Sequence, residues 1–184
     1  MDNGASSYLR FLDGDESGIV DIIKDYKDGL MLYLNEYVHN IHVAEDLTED
    51  TFVKIVIKKP KFSEKSSFKT WLYAIGRNLA IDHLRHAPKA IEVSTEEALT
   101  ATDEESIERA YIRNERKILV HRIMKNLNPD YRRVLYLVYF EDFRREQIAQ
   151  IMKKNLKQVD NLIYRAKLSL RSELEKEGFI YEEL

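Results

Sequence analysis

The chain of 184 residues contains no cysteine. A disulfide framework and a metal site built on thiolates are therefore excluded. Two pairs, His39/His42 and His83/His86, have a spacing that metal ligands can have. Because neither cysteine nor a convergent carboxylate accompanies them, we expect ordinary surface histidines and no bound metal.

Long apolar runs and glycine-rich motifs are absent as well. No segment approaches the roughly 18 apolar residues of a membrane span, and the first residues, MDNGASSYLRFLDGDE, lack the basic and apolar regions of a signal peptide. The six glycines form no phosphate-binding loop, and no nucleophile converges with a base. We therefore expect a soluble, cytoplasmic protein that is not inserted in a membrane, is not an enzyme and needs no cofactor.

What the chain does have is two local concentrations of positive charge, although its net charge is -3. Basic residues dominate the segment 54–89, where only Glu64 and Asp82 oppose them, and again the segment 144–171. Acidic residues elsewhere hide both segments in the whole-chain sum. Local positive fields of this kind favour a nucleic-acid partner.

The segment 58–85, KKPKFSEKSSFKTWLYAIGRNLAIDHLR, joins a basic loop to a helix that carries the only tryptophan. Helical spacing predicts one apolar face on this helix, made of Phe68, Trp71, Leu72, Ile75 and Leu79. Basic side chains with nearby aromatic rings suit single-stranded nucleic acid, because cations follow the phosphates and rings stack on bases. The alternative is that Phe68, Trp71 and Leu72 simply belong to the core.

Apolar periodicity predicts three more helices before this segment. The first covers Tyr8–Leu12, the second follows Ser17, and the third begins near Val43 and is stopped by Pro60. The third helix carries an acidic face of Glu45, Asp46, Glu49 and Asp50.

The composition indicates an all-α protein with two helical domains. Residues 88–106 are rich in acidic side chains with Ser, Thr and Ala, and they contain no Lys or Arg after Lys89. We expect a flexible acidic linker there. One domain would then cover residues 1–87 and the other residues 107–184.

The second domain contains the pattern of a helix-turn-helix. A helix from about Glu104 to Leu127 is followed by Asn128-Pro129, which predicts an N-cap with proline at the first helical position. Then come REQIAQIM, the short break KKN and LKQVDNLIYRAKLSLRSELEKE. Two helices joined by so tight a turn, the second with a basic outer face, indicate a helix that enters the DNA major groove. The inward side chains of that helix would be Val159, Leu162, Ile163, Ala166 and Leu170. A plain helical hairpin is the alternative.

Three motifs together resemble the extracytoplasmic-function (ECF) group of bacterial sigma factors, part of the sigma-70 family: AEDLTEDTF, FKTWLYAIGRNLAIDHLR, and QIAQIM followed by KQVDNLIYRAKLSLRSEL. The resemblance covers nearly the whole chain in order. It implies that the N-terminal domain, sigma region 2, holds RNA polymerase and melts the minus-ten promoter element. It also implies that the C-terminal domain, sigma region 4, docks its helix-turn-helix on the minus-thirty-five element. The chain would thus be an alternative sigma factor that recruits core polymerase to specific promoters and helps to open them.

The resemblance also implies partners and their sites. The partners are core RNA polymerase, through the clamp helices of its large subunit, promoter DNA and an anti-sigma factor. The polymerase-binding residues, within Ala44–Phe52, are Glu45, Asp46, Glu49, Asp50 and Phe52. Those for the minus-ten element, where a base flipped from the non-template strand would sit, are Phe62, Ser63, Lys65, Ser66, Ser67, Lys69, Trp71, Tyr73, Arg77 and Asn78. Those for base edges of the minus-thirty-five element are Lys154, Asn155, Lys157, Gln158 and Asn161. Those for phosphate contacts or helix packing are Arg132, Arg133, Arg144 and Arg165.

Several positions depart from the family pattern. The family commonly has glutamine at Glu49, a turn glycine at Lys153, an apolar residue at Lys154, basic residues at Asp160 and Leu162, and a Ser or Thr helix cap at Arg144. A conventional helix-turn-helix regulator is the alternative function. It would explain residues 129–176, but it leaves the basic loop and the tryptophan helix without a purpose.

Overall fold

The computed structural model describes residues 3–63, 65–86 and 115–178. Those residues form eight α-helices and no strand, which confirms the all-α prediction. In chain order the helices are α1 Asn3–Leu12, α2 Ser17–Val38, α3 Ile41–Lys58, α4 Phe68–His86, α5 Glu115–Met124, α6 Pro129–Tyr139, α7 Arg145–Met152 and α8 Leu156–Lys176. They form two compact units: the first holds α1–α4, and the second holds α5, α6, α8 and most of α7. The predicted linker 88–106 lies outside the described residues, so the domain boundaries stay a prediction.

Local capping explains the bounds of α3. Asn40 precedes the helix, and its side-chain oxygen accepts two N–H groups of the first turn at 3.0 and 3.2 Å. At the other end Lys59 adopts a left-handed φ of 42°, and its N–H donates to the Ile55 carbonyl at 3.2 Å. Pro60 follows, and proline cannot continue a helix. The end of α3 is therefore the one that the sequence predicts.

Helix α1 begins at Asn3, earlier than the predicted Tyr8. Its first turn is made of small residues, and Gly4 and Ser7 are buried. Small side chains carry no apolar signal, so periodicity alone misses a turn that packs through its backbone. A Cβ at Gly4 would come within 2.6 Å of the Phe68 ring in α4, so α1 lies very close to α4.

The core of the first unit lies between α2, α3 and α4. Each pair of these helices is in contact, and α1 packs against α2. Gly76 allows α4 to approach the other two, since a Cβ there would lie 3.0 Å from Leu30 of α2 and 3.3 Å from Thr51 of α3.

In the second unit, the predicted start of α6 is confirmed. The Asn128 side chain accepts the N–H of Asp130 at 2.9 Å, and Pro129 is the first residue of the helix. Residues 104–114 of the predicted Glu104–Leu127 helix lie outside the described residues. Within them, α5 covers Glu115–Met124. Helix α6 packs against α8, which forms the core of this unit.

Helices α7 and α8 form the predicted helix-turn-helix. The turn passes through Lys153, which has a left-handed φ of 52°. Helix α8 then begins with a capping box, because the Asn155 and Gln158 side chains each accept the other residue's backbone N–H at 2.9 Å. The predicted inward side chains that are buried are Val159, Ile163, Ala166 and Leu170.

The turn at Lys153 yields a test of local strain. Lys153→Gly is expected to raise the free energy of unfolding by up to about 1 kcal/mol, because glycine adopts a left-handed conformation without the steric cost of a Cβ. Thermal unfolding of the full chain, followed by circular dichroism, measures the difference. Lys153→Ala is the matched control, since it removes the same charge but keeps the Cβ. A glycine variant no more stable than the alanine variant would contradict strain at this turn.

Candidate nucleic-acid and protein interfaces

The ring of Trp71 and the side-chain amide of Asn78 lie on the same outward face of α4. Trp71 and Asn78 are both half-buried, and seven residues, or two helical turns, separate them by about 10 Å along the axis. Phe68 and Leu72 are fully buried, so for these two the core alternative is the correct one. Among the residues that the structure describes, no group hydrogen-bonds to the Asn78 side chain. Its amide is therefore free to offer one donor and one acceptor edge to a base.

Tyr73 lies on the opposite side of α4. Its side chain is 0% exposed, and its ring stacks on Tyr33 of α2 with the centroids 5.5 Å apart. Tyr73 therefore belongs to the core of the first unit, because α2 covers its side of the helix, and its contact with a base stays a prediction. The ring that shares a face with Asn78 is that of Trp71.

The loop before α4 is anchored by aromatic packing. The Phe62 ring lies 5.4 Å from the Trp71 ring and 5.7 Å from the Phe68 ring, measured between centroids. At the end of the loop, the Ser67 hydroxyl oxygen accepts the N–H of Thr70 at 3.2 Å and so caps the start of α4. Phe62 is consequently held against the tryptophan rather than being free in solvent.

Basic side chains lie in the loop and on α4, where Lys69 is on the Tyr73 side of the helix. Lys65 and the neighbouring Ser63 are exposed, Ser66 is half-buried, and Lys69 lies over the Tyr73 ring at 5.7 Å. The Arg77 Nε is buried and has no hydrogen-bond partner within the described ranges. An exposed loop with lysines beside a partly exposed ring and a free amide can bind a phosphate chain and hold an unpaired base.

The outward stripe of α3 is acidic in its first half, and in its second half exposed apolar side chains lie beside the exposed Lys54 and Lys58. Asp46, Glu49 and Asp50 are exposed, whereas Glu45 is paired with Lys27 of α2 at 3.0 Å. Toward the end of the helix, Val53 and Ile57 continue the stripe and are 49% and 70% exposed. The apolar part extends beyond the acidic residues that the sequence singled out.

Phe52 does not belong to this stripe. Its side chain is only 5% exposed and faces the core of the first unit. Its contact with polymerase stays a prediction, which the burial of the side chain does not favour. The adjacent Val53 points outward, because successive residues of a helix are turned by about 100°.

In the second unit, one face of α8 and the start of α6 enclose an open cleft of about 280 Å³. It is lined by Tyr131, Lys154, Gln158, Asn161, Leu162 and Arg165. Leu162, predicted to face inward, is half-buried at its edge. Four of the residues assigned to the minus-thirty-five element thus share one concave surface. Asn155 is used in the capping box, which also occupies the Gln158 side-chain oxygen and leaves its NH₂ group free to donate.

The arginines around the helix-turn-helix differ in whether they form hydrogen bonds or ion pairs within the unit. Arg132 donates to the Lys125 carbonyl at 3.2 Å and so links α6 to the end of α5. Arg133 pairs with Asp130 at 3.2 Å, one turn away within α6. Lys154 lies 3.8 Å from the same Asp130. Lys157, Arg144 and Arg165 are exposed.

Two departures from the family pattern have a structural explanation. Arg144 precedes α7 without a capping oxygen, and its N–H donates instead to the Gln147 side chain at 2.8 Å. The carboxylate of Asp160, on α8, lies 3.1 Å from the Arg145 guanidinium. The acidic charge at 160 is therefore offset by a cation on the neighbouring helix.

Three contributors to these surfaces were not identified from the sequence. Tyr131 lines the cleft, and Val53 and Ile57 extend the α3 stripe. Outward helical spacing from Asp46 and Asp50 would have found the two apolar residues, because positions four and seven apart share a face. For Tyr131 no sequence signal exists, since its position depends on how α6 packs on α8.

No group of three or more His, Asp or Glu side chains suited to a metal ion occurs in the ranges 3–63, 65–86 and 115–178. Within the same ranges, none of the helices has the length and apolar character that crossing a membrane requires.

Comparisons with known proteins match both units. Residues 22–89 match the family model "Sigma-70 region 2", and residues 117–170 match "Sigma-70, region 4". The chain is 31% identical to RNA polymerase sigma factor YlaC of Bacillus subtilis over 86% of this chain and 92% of YlaC. It is 28% identical to ECF RNA polymerase sigma factor SigW of the same organism over 88% of this chain and 91% of SigW.

Two solved structures have a similar fold. CnrH, solved in complex with the cytosolic domain of CnrY, has a TM-score of 0.68 at 17% identity and covers 95% of this chain and 99% of its own. The sigma factor RpoE of Bartonella quintana, solved with the anti-sigma factor NepR, has a TM-score of 0.60 at 20% identity and covers 84% of this chain and 95% of its own.

Proposed function

The chain belongs to the sigma-70 family of bacterial RNA polymerase sigma factors, in its ECF group, and from this premise we propose how its two units act. It is an alternative sigma factor, which recruits core RNA polymerase to specific promoters and helps to open the minus-ten element. The observation that carries the proposal is that the two family matches cover the three surfaces described above. The region 2 match covers the α3 stripe and the Trp71–Asn78 face, and the region 4 match covers the helix-turn-helix.

The polymerase partner is proposed for the outward stripe of α3. Exposed acidic side chains at Asp46, Glu49 and Asp50 would steer and orient the complex through complementary charge. Val53 and Ile57 would supply apolar area, which a charged stripe alone lacks. They are 49% and 70% exposed and lie one turn apart, and a partner would remove that apolar area from water.

The minus-ten element is proposed to bind the loop 60–67 and the outward face of α4. Lys65 and Arg77 would follow the phosphates of the non-template strand, while Trp71 and Phe62 would stack against an unpaired base. Asn78 would read the edge of that base through its free amide. A base must leave the duplex to reach such a site, so binding here favours the opened strand over the closed duplex.

The minus-thirty-five element is proposed to bind α8 in the major groove. Asn161 and the free NH₂ group of Gln158 lie in the cleft with Arg165, where they could reach base edges. Lys157 is exposed near the start of the helix, which is the end that reads bases in helix-turn-helix proteins. Arg132 and Arg133 would act mainly through packing, since each is bonded within the unit.

Lys157 offers a direct test of this orientation. The holoenzyme is core polymerase with this chain bound. If Lys157 contacts a phosphate, Lys157→Ala is expected to lower the affinity of the holoenzyme for duplex promoter DNA evenly across sequences. The slope of log affinity against log salt concentration should then fall by about one. If Lys157 instead contacts a base, the loss is confined to one minus-thirty-five position. Filter binding across a series of salt concentrations distinguishes the two. Lys176→Ala, an exposed lysine at the far end of α8, is the matched control, and equal behaviour of both variants would contradict the proposal.

An anti-sigma factor is proposed as a further partner. CnrH and RpoE were each solved with a protein partner, NepR being named as an anti-sigma factor. In this chain the exposed apolar half of the α3 stripe is a surface that such a protein could cover in competition with polymerase. The family comprises transcription initiation factors, and we propose that this chain acts in the cytoplasm by binding alone, without catalysing a reaction.

A conventional helix-turn-helix regulator accounts for less of the molecule. It explains α7 and α8 but assigns nothing to the α3 stripe or to the Trp71–Asn78 face. The region 2 match over residues 22–89 covers both of those surfaces. The sigma-factor function is therefore the one that uses all the surfaces described above.

A further inference from the structure

Helix α1 lies outside the matched region 2 segment, which begins at residue 22. Yet it directly contacts the start of the loop 60–67, called the minus-ten loop below because it is proposed to bind the minus-ten element. The Tyr8 hydroxyl donates to the Pro60 carbonyl at 2.8 Å, across 52 positions of the sequence. Burial raises the pKa of that hydroxyl, which keeps it protonated and able to donate.

The Tyr8 ring also contacts the rings that line the loop. Its centroid lies 5.4 Å from those of both Phe68 and Trp71, and the side chain is 0% exposed. Phe62 packs against the same two rings. Tyr8 of α1 therefore contacts both the backbone where the loop begins and the tryptophan that follows the loop in α4.

A second contact from α1 reaches the residue before Pro60. The Lys59 ammonium lies over the Phe11 ring at 5.1 Å from its centroid, and Lys59 has the left-handed φ of 42° that ends α3. Helix α1 is also packed tightly on α2, because Gly18 of α2 lies against the backbone of Ser7 and Phe11. The position of α1 and that of the loop's first residues are thus coupled.

We propose that α1 is a positioning element for the minus-ten loop, with Tyr8 as its principal positioning residue. Tyr8 holds Pro60 and Trp71 so that Phe62 and Asn78 present a preformed surface to an unpaired base. A loop ordered in advance binds more tightly, because less conformational freedom is lost when the strand arrives. The inference rests on the proposed function, since it assigns Tyr8 a role in the strand binding proposed for that face.

Tyr8→Phe tests the role because it removes only the hydroxyl. The measurement is anisotropy of a labelled 12-nucleotide non-template strand, taken from a promoter that the holoenzyme transcribes and spanning its minus-ten element. We expect about a fivefold loss of affinity, the size of one hydrogen bond to a neutral partner. Affinity for core polymerase and for duplex minus-thirty-five DNA should change by less than twofold.

Tyr33→Phe is the matched control. Tyr33 is also fully buried in the first unit, and its hydroxyl lies 2.9 Å from that of Tyr37, on α2 and away from the loop. The control should match Tyr8→Phe in any loss of thermal stability but keep strand affinity within twofold of the wild type. Equal loss of strand affinity in both variants would reduce Tyr8 to a structural role and overturn the proposal.

The single tryptophan supplies a readout that needs no DNA. Acrylamide quenching of Trp71 fluorescence in the folded full chain should be faster in Tyr8→Phe than in Tyr33→Phe, because, of these two tyrosines, Tyr8 is the one whose ring packs on Trp71 and whose hydroxyl holds the loop. Phe11→Leu, which removes the ring beneath Lys59, should lower strand affinity in the same direction, and it takes the place of Tyr8→Phe if that variant unfolds. If wild-type holoenzyme does not bind the strand, the proposed function fails. If it binds and neither α1 variant weakens binding, only the role of α1 fails.

Discussion

Reversing the charges of Asp46 and Asp50 to lysine is expected to weaken the binding of core RNA polymerase by on the order of 100-fold, since like charges set against each other at an interface cost several kcal/mol. Both side chains are exposed on the outward stripe of α3 and neither supports the core. The fold should therefore survive, with circular dichroism and the unfolding midpoint close to the wild type. Co-purification with core polymerase, followed by a titration at low and at moderate salt, measures the loss.

Asp25 and Asp28 provide the matched control for that experiment. They are exposed on α2 of the same unit, and their double lysine variant changes the net charge of the chain by the same amount. A general charge effect would weaken both double variants equally, whereas a specific interface weakens only the α3 variant. Unchanged co-purification of a folded Asp46→Lys/Asp50→Lys protein would remove the α3 stripe from the polymerase interface.

Asn78→Ala should have the second large effect, a loss of roughly 1 to 3 kcal/mol in discrimination at one minus-ten position. The amide is half-buried, has no partner among the described residues and shares its face with Trp71. The loss should appear as open-complex formation that no longer distinguishes bases at that position. Binding of duplex DNA upstream should be unchanged, because that step depends on the second unit.

His83→Ala on the same helix is the control for Asn78. His83 is exposed, and its replacement should leave both open-complex formation and stability unaltered. Bubble templates, in which the minus-ten strand is already open, separate base reading from melting. An Asn78→Ala protein that is markedly less stable and fails equally on every minus-ten sequence would indicate that the amide is structural.

Features of the fold that depend on neighbouring residues could be predicted from the sequence. The cap at Asn128-Pro129 and the stop at Pro60 are fixed by backbone chemistry within a few residues, and both were correctly anticipated. The helix-turn-helix followed from the tight break KKN between two amphipathic segments. The family pattern places glycine at the turn, and the left-handed φ of Lys153 accounts for that preference.

The faces of the helices were harder to assign, because they depend on distant partners. Tyr73 and Trp71 differ by only two positions in α4, yet α2 covers the first and leaves the second half-exposed. Phe52 and Val53 on α3 are distinguished in the same way. An apolar run gives the period of a helix, whereas the side that is buried depends on where other helices cross it.

Long-range polar contacts could not be anticipated at all. The bond from Tyr8 to Pro60 and the ion pair between Arg145 and Asp160 join residues with no sequence signal of their own. The ion pair explains how an acidic residue is tolerated at Asp160, where the family commonly has a basic one, since the Arg145 guanidinium offsets its charge. The sites for polymerase and DNA remain predictions that rest on exposure, charge and free hydrogen-bonding groups.

Transcription from genomic DNA tests the central claim most directly. Core RNA polymerase freed of other sigma factors is incubated with fragmented genomic DNA of the source bacterium, with and without the chain, and the 5′ ends of the transcripts are sequenced. The account predicts new transcripts that appear only with the chain and share two sequence elements near minus ten and minus thirty-five. Transcript ends that are the same with and without a folded chain that binds the polymerase would contradict it.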